Sequence, residues 1–334
     1  MLRACELLDE LSRHPTEAFS VSELARRIGV PRATCDSLLL ALAEKGLALR
    51  RDDDLRYEIG PKCVVLGDAA RVANSVLVAA GGEAERLARQ TSSCVAVATR
   101  RDDEARVADV FDFGPPFGIR ARVGQSIPLV PPFGAVLIAW ADDEGVRRWL
   151  EQQTYPLSPP EIARYRVALD AVRRRGYSVT VVTDRRPELV EALEKLITSP
   201  DAHDARRKRD ELIREMSHSE YLATDIDAYA TMRVSQLSAP VFDRAGKVAA
   251  MIIVLGPDYD ITPAELGALG EQLLRSVAAA TERAGGRAPE LTSFVDAGAE
   301  HLVLVPCGPA PQESARRLLT EVRPAMKTQV SSTT

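Results

Sequence analysis

The sequence predicts an α+β chain with a winged helix-turn-helix in residues 1–62, a linker helix over 63–90 and an antiparallel-sheet domain with surrounding helices over 91–286, followed by an extension, 287–334. Three observations predict it. Two short helical patterns meet at a Gly-Val-Pro turn near residue 30, and two alternating segments then flank a run of three aspartates. Beyond residue 91, strand-like apolar segments follow one another through tight polar turns, without repeated strand-helix units.

Bulk properties narrow the function. At 334 residues and 46% hydrophobic content the chain can bury two separate cores. A net charge of -5 excludes a protein that coats nucleic acid through bulk charge, so any DNA contact must be local. Cys5, Cys35, Cys63, Cys94 and Cys307 lie far apart and only four histidines accompany them, so neither a disulfide framework nor a metal site is expected, and no cofactor. The reducing cytoplasm fits this cysteine usage best. No charged start precedes an apolar run and no stretch of about twenty apolar residues occurs, so neither a signal peptide nor a membrane span is expected.

Leu2, Leu7, Leu8 and Leu11 put an apolar stripe on a first helix that His14 and Pro15 end. Ser20 with Glu23 three residues later is the reciprocal cap that satisfies free amides at a helix start. Leu24, Ala25 and Ile28 face inward along that second helix; Gly29 permits the left-handed turn, and Pro31 opens a third helix with its φ already set. Leu38, Leu39 and Leu42 form the buried face of helix three. Arg32, Ala33, Asp36 and Ser37 remain at its exposed N-terminal end, which meets base edges in this motif, and Thr34 is counted with them.

The segment from Leu47 to Gly60 reads as the wing, with Leu47, Leu49, Leu55, Tyr57 and Ile59 turned inward around Asp52–Asp54. Arg50, Arg51 and Arg56 on the wing, and Arg26 and Arg27 on helix two, are the candidates for phosphate contacts. Residues 1–62 hold ten Lys/Arg against eleven Asp/Glu, which predicts modest non-specific affinity and a shallow salt dependence.

These residues resemble the IclR family of bacterial transcriptional regulators. The resemblance is carried by Ser22-Glu23-Leu24-Ala25, Gly29-Val30-Pro31-Arg32-Ala33-Thr34, the leucines of helix three and Tyr57-Glu58-Ile59-Gly60. It continues through Arg122-Val123-Gly124, Pro128-Leu129, Arg175-Gly176-Tyr177 and Ser238-Ala239-Pro240-Val241-Phe242-Asp243 to about residue 286. It implies a GAF-like second domain that binds a small organic effector, assembly as a homodimer or homotetramer, and double-stranded DNA as the partner, with no enzymatic activity.

In the second domain, residues 61–90 read as a two-part helical connector interrupted at Gly81-Gly82. Cys94–Ala98 and Arg106–Phe111 read as a hairpin around Asp102-Asp103, with a third strand over 118–123; Ser178–Val182 and Val248–Leu255 read as central strands. Trp140 and Trp149 flank a helical stretch, and Glu161–Arg175 is an amphipathic helix. No nucleophile triad, phosphate loop or metal spacing stands out.

By the resemblance, the effector lies against Leu129, Val130, Pro132, Phe133 and Gly134. The Val, Pro and Phe here favour an apolar or aromatic effector, because an unpaired buried charge is costly. Ser238, with Ser235 and Gln236 nearby, is the candidate for orienting it. A charged segment, 184–217, looks inserted relative to the family and reads as a solvated helical pair, since acidic residues interleave with Arg206–Arg209. Residues 299–322 read as one strand and one helix resembling the last such unit of luciferase-like flavin oxidoreductases, too short to build a barrel. Two other readings follow: a ligand-binding protein that has lost DNA binding, since Asp36 on the recognition face would repel phosphate, and an oxidoreductase-related fusion.

Overall fold

The computed structural model describes residues 2–115, 120–153, 155–182, 186–198, 202–217, 222–256 and 259–289. It divides into two units, residues 1–74 with 194–205 and the remainder. The strand-helix reading of 299–322 lies outside the described residues.

The first unit contains α1 (Leu2–Arg13), α2 (Val21–Arg27), α3 (Arg32–Glu44), a two-stranded antiparallel wing of β1 (Ala48–Arg50) and β2 (Tyr57–Ile59), and α4 (Lys62–Ala73). Leu7 and Leu11 of α1, Leu24 of α2, Cys35, Leu39 and Leu42 of α3, and Phe19, Ala48 and Tyr57 make one core. Phe19 exchanges both backbone hydrogen bonds with Tyr57, at 2.8 Å each, so the segment before α2 is stitched to the wing.

The wing differs from the alternation expected of it. Ala48 and Tyr57 are buried, while Leu49 and Leu55 are exposed. β1 begins at Ala48, out of phase with the pattern read from Leu47, and a slip of one residue exchanges the two faces of a strand. Leu55 sits in the turn at a φ of 58°, outside any pleat. Leu38 of α3 is only partly buried, and Cys35 fills the interior place beside Leu39.

The second unit holds a six-stranded sheet in the order β5-β4-β3-β8-β7-β6, all neighbours antiparallel. The strands are β3 (Cys94–Arg101), β4 (Glu104–Asp112), β5 (Ser126–Pro128), β6 (Ser178–Val181), β7 (Val234–Phe242) and β8 (Val248–Leu255). One face packs on α5 (Ser75–Thr91) and α11 (Pro263–Arg283) through Ala84, Leu87, Leu273 and Val277 against Val95, Leu237 and Ile252. The other carries α6 (Ala135–Ile138), α7 (Asp143–Glu151) and α8 (Pro159–Arg175), whose Ile138, Trp149 and Leu169 share a core with Ala96, Met251 and Ile253. This is an α+β unit with helices on both faces of an antiparallel sheet, the GAF-like architecture expected.

Four expectations change. The helical connector breaks at Asn74, with Gly81 and Gly82 inside α5, where Gly81 lies against Asp109 and Phe111 of β4. Residues 120–123 run as irregular chain, and the strand falls later, at β5; residues 116–119 lie outside the described set. Strand β6 is an edge strand, not a central one; the segment at 222–223 shields it through an Ala223 N–H to Val179 carbonyl bond of 3.0 Å. The inserted segment does form two helices, α9 (Arg186–Thr198) and α10 (His203–Ser217), but they are not merely solvated: Leu189, Leu193, Leu212 and Ile213 are buried in the core of the second unit.

Candidate functional site

The first candidate site is the N-terminal end of α3. Ser20 caps α2, accepting from the Glu23 amide, while the Glu23 carboxylate accepts from the Ser20 amide at 2.7 Å. Gly29 takes the left-handed conformation, φ 65°, and the Val30 amide donates to the Ala25 carbonyl at 3.0 Å. These local bonds fix the turn between α2 and α3. Cys35, Leu39 and Leu42 then face the core, and Arg32, Ala33, Thr34, Asp36 and Ser37 are all exposed. Burial pushes the Cys35 thiol up, with Asp36 adding to it, so Cys35 is a neutral packing residue. The Ser37 hydroxyl donates to the Ala33 carbonyl at 3.0 Å and is thereby occupied within its own helix. Leu40, also exposed, extends the same face and escapes a reading that assigns leucines to the core.

The five arginines proposed to reach phosphates separate into two groups. Arg27 is bound to Glu10 at 2.6 Å and lies over the Phe19 ring, 4.6 Å from its centroid. Arg56 donates to the Ala18 carbonyl at 2.8 Å and to Glu23 at 3.2 Å. Both guanidinium groups hold the unit together. Arg51 is paired within the wing turn, donating to Asp53 at 3.2 and 3.3 Å, and this bond holds the Asp53 carboxyl below its usual range. Arg50 lies 5.8 Å from the Tyr57 centroid, and Arg26 is exposed at the end of α2. Arg32 is exposed at the first position of α3 and makes no ion pair among the described residues.

The second candidate site is a cavity of about 90 Å³ on the α6–α8 face of the sheet. Of the residues the sequence singled out, Pro132, Phe133, Gly134, Gln236 and Ser238 line it. Leu129 is buried in the core beneath this loop, with Val130 packed partly against the same core, and neither lines the cavity. The Trp149 indole N–H donates to the Phe133 carbonyl at 3.0 Å and holds the loop in place.

Sequence reasoning missed most of the wall. Strand register brings Ser178 beside Ser238 and Thr180 beside Gln236, and all four line the cavity. Ser235, one residue from Gln236, is also buried and does not line the cavity. Leu189 and Leu193 of α9, with Leu222, line part of the wall, and Arg120 and Gln125 reach it from the chain between β4 and β5. The sequence places Gln236 and Ser238 two apart on one strand, but no sequence signal joins them to Ser178 or to α9.

A winged helix-turn-helix with the N-terminal end of α3 exposed, followed by an antiparallel-sheet unit with helices on both faces, defines the class of winged helix-turn-helix DNA-binding proteins. The model of the IclR helix-turn-helix domain matches residues 2–52. The HTH-type transcriptional regulator Rv1719 of Mycobacterium tuberculosis is 30% identical over 175 residues, which span 52% of this chain and 66% of that protein. An IclR transcriptional regulator from Alicyclobacillus acidocaldarius shares the fold with a TM-score of 0.60 at 22% identity, over 85% of this chain and 98% of that one. An IclR homolog from Microbacterium hydrocarbonoxydans, complexed with 4-hydroxybenzoate, gives 0.56 at 15% identity, over 84% and 99%. Residues 2–52 are thus an IclR helix-turn-helix domain, and over 85% of the chain the fold is that of a solved IclR regulator.

Proposed function

We propose that this chain is a transcriptional regulator that binds operator DNA through the N-terminal end of α3, with its DNA affinity set by a small organic effector in the cavity. One observation carries the reading: Arg32, Ala33, Thr34, Asp36 and Ser37 stand exposed together on a helix whose other face is fixed by Cys35, Leu39 and Leu42. That is the end of a recognition helix that enters the major groove. Of the arginines, Arg32 is assigned to the bases or the nearest phosphate, Arg26, Arg50 and Arg51 to phosphates, and Arg27 and Arg56 to holding the helices and wing in register.

Self-association as a homodimer or homotetramer is part of the reading. Helix α4 has no buried residue, and Val64, Val65, Leu66 and Val72 are exposed on it. A second copy would cover such a surface, and two copies of α3 would meet half-sites about one helical turn apart. A DNA-binding role would place the protein in the cytoplasm. The effector acts by binding the DNA-competent and DNA-incompetent arrangements with different affinity, since equal affinity shifts nothing. The apolar wall of the cavity and the 4-hydroxybenzoate complex of the Microbacterium relative support a small effector with an apolar or aromatic body.

The test is anisotropy of labelled DNA from the region upstream of the protein's own gene, titrated with protein at several salt concentrations beside a scrambled duplex. Selective binding supports the regulator. Asp36, exposed on the recognition face where it would repel phosphate, favours a second reading, a ligand-binding protein without operator binding. Equal, weak affinity for both duplexes and for genomic fragments would select that reading.

A further inference from the structure

We infer that the cavity takes an uncharged organic molecule with an apolar body and one hydrogen-bonding group, and that the Ser238 hydroxyl receives that group. The inference rests on reading the cavity as the effector site, and it follows from how the strands divide the cavity floor.

Across the sheet, one row of partners runs Ser178 (β6), Ser238 (β7), Ile253 (β8), Ala96 (β3). A parallel row runs Thr180, Gln236, Leu255. All seven line the cavity. The floor is therefore polar on β6 and β7 and apolar from β8 onward, with the boundary between Ser238 and Ile253. A ligand lying across it places an apolar body over β8 and β3 and a polar group over β7.

Two observations set the chemistry of that group. Ser238 is 2% exposed and its Oγ has no hydrogen-bond partner among the described residues. Buried hydroxyls are nearly always partnered, and a ligand hydroxyl, carbonyl or amide would complete this one. Among the described lining residues Arg120 is the one charged side chain, and it is already ion-paired with Asp112 and bonded to the Pro115 carbonyl at 3.0 Å. A carboxylate in the cavity would meet neutral hydroxyls and amides at one end and a neutralised guanidinium at the other. A charge moved from water without a counter-charge is strongly disfavoured, so the uncharged ligand wins.

The test uses the full chain at pH 7, with thermal unfolding and calorimetry. The neutral probes are phenol, benzyl alcohol and cyclohexanone, the anions benzoate and cyclohexanecarboxylate, and the apolar control benzene, each with wild type and Ser238→Ala. At least one neutral polar probe is expected to bind and raise the melting temperature, and Ser238→Ala to weaken it about 10-fold, the effect of one well-made hydrogen bond, while leaving benzene unchanged. Ser238→Ala removes an unpartnered hydroxyl and leaves a methyl group as the side chain, so the variant is expected to fold as wild type does. If the anions bind as tightly as the neutral probes and lose affinity in Ser238→Ala, the uncharged class is wrong but the cavity remains a ligand site. Neutral binding untouched by Ser238→Ala removes Ser238 from recognition and overturns the inference. Binding of no probe overturns the cavity as an effector site, and the inference with it.

Discussion

Arg56, at the base of the wing, donates to the Glu23 carboxylate at 3.2 Å, and the same carboxylate oxygen closes the cap of α2 by accepting from the Ser20 amide at 2.7 Å. One side chain thus fixes both where the helix before the recognition turn begins and where the wing lies. The Ser20 backbone bond is the main cause that holds the Glu23 carboxyl below its usual range, followed by the Ser20 hydroxyl; burial opposes them, and Arg56 adds a lesser lowering. A carboxylate whose folded-state pKa is depressed contributes stability that is complete above its unfolded pKa and is lost as the pH falls through the folded one. Glu23→Ala is expected to destabilise the protein by about 1 kcal/mol at pH 7, the usual worth of a cap, and to flatten the acid limb of the stability curve. Urea unfolding of both proteins between neutral pH and the acid side of the carboxylate range measures this; an unchanged acid limb would show that the Glu23 bonds do not persist in solution.

Arg27 and Arg32 lie five residues apart and are assigned opposite roles. Arg27→Ala removes a guanidinium bound to Glu10, whose side chain is 8% exposed, and stacked over Phe19, so it is expected to lower the melting temperature by several degrees. Arg32→Ala is expected to leave the melting temperature unchanged. Thermal unfolding followed by circular dichroism separates the two; equal losses would contradict the division of the arginines.

Gly60 is required by space. A Cβ there would meet backbone of Gly46, Leu47 and Ala48, the Leu47 carbonyl carbon at 2.6 Å, and its amide already donates to the Leu47 carbonyl at 2.8 Å. Gly60→Ala is expected to cost about 3 kcal/mol or more, because backbone cannot yield as a flexible side chain does. Gly67 of α4 faces open space, so Gly67→Ala should stabilise by about 0.5–1 kcal/mol through helix propensity alone. Denaturant midpoints rank wild type between the two variants if the packing is right.

The exposed apolar residues of α4 predict a concentration-dependent assembly. Val65→Asp with Val72→Asp is expected to shift the sedimentation coefficient toward the monomer while leaving the helical content of the protein intact. An assembly that sediments as wild type would place the interface elsewhere.

The recognition helix was legible because every signal for it is local. Ser20 with Glu23, Gly29 and Pro31 fall within twelve residues, and each acts on backbone it adjoins. The wing was legible as two strands but not in phase, since Leu47 precedes the strand and the small Ala48 is the residue that turns inward. Pro132–Gly134 and Ser238 line the cavity, while Leu129 and Val130 do not. The rest of the cavity was not legible because it is assembled by register between segments sixty residues apart, Ser178 against Ser238, and by α9, whose charged surface concealed that Leu189 and Leu193 face inward. Only three-dimensional pairing shows that the floor has a polar half.

The central claim is sequence-selective DNA binding through α3, and the most direct measurement is the affinity of wild type and Arg32→Ala for upstream and scrambled duplexes across a salt series. The account predicts that wild type prefers the upstream duplex by about 10³-fold or more and that Arg32→Ala weakens this binding several-fold with its fold intact. Equal affinity of the two proteins for both duplexes would contradict it.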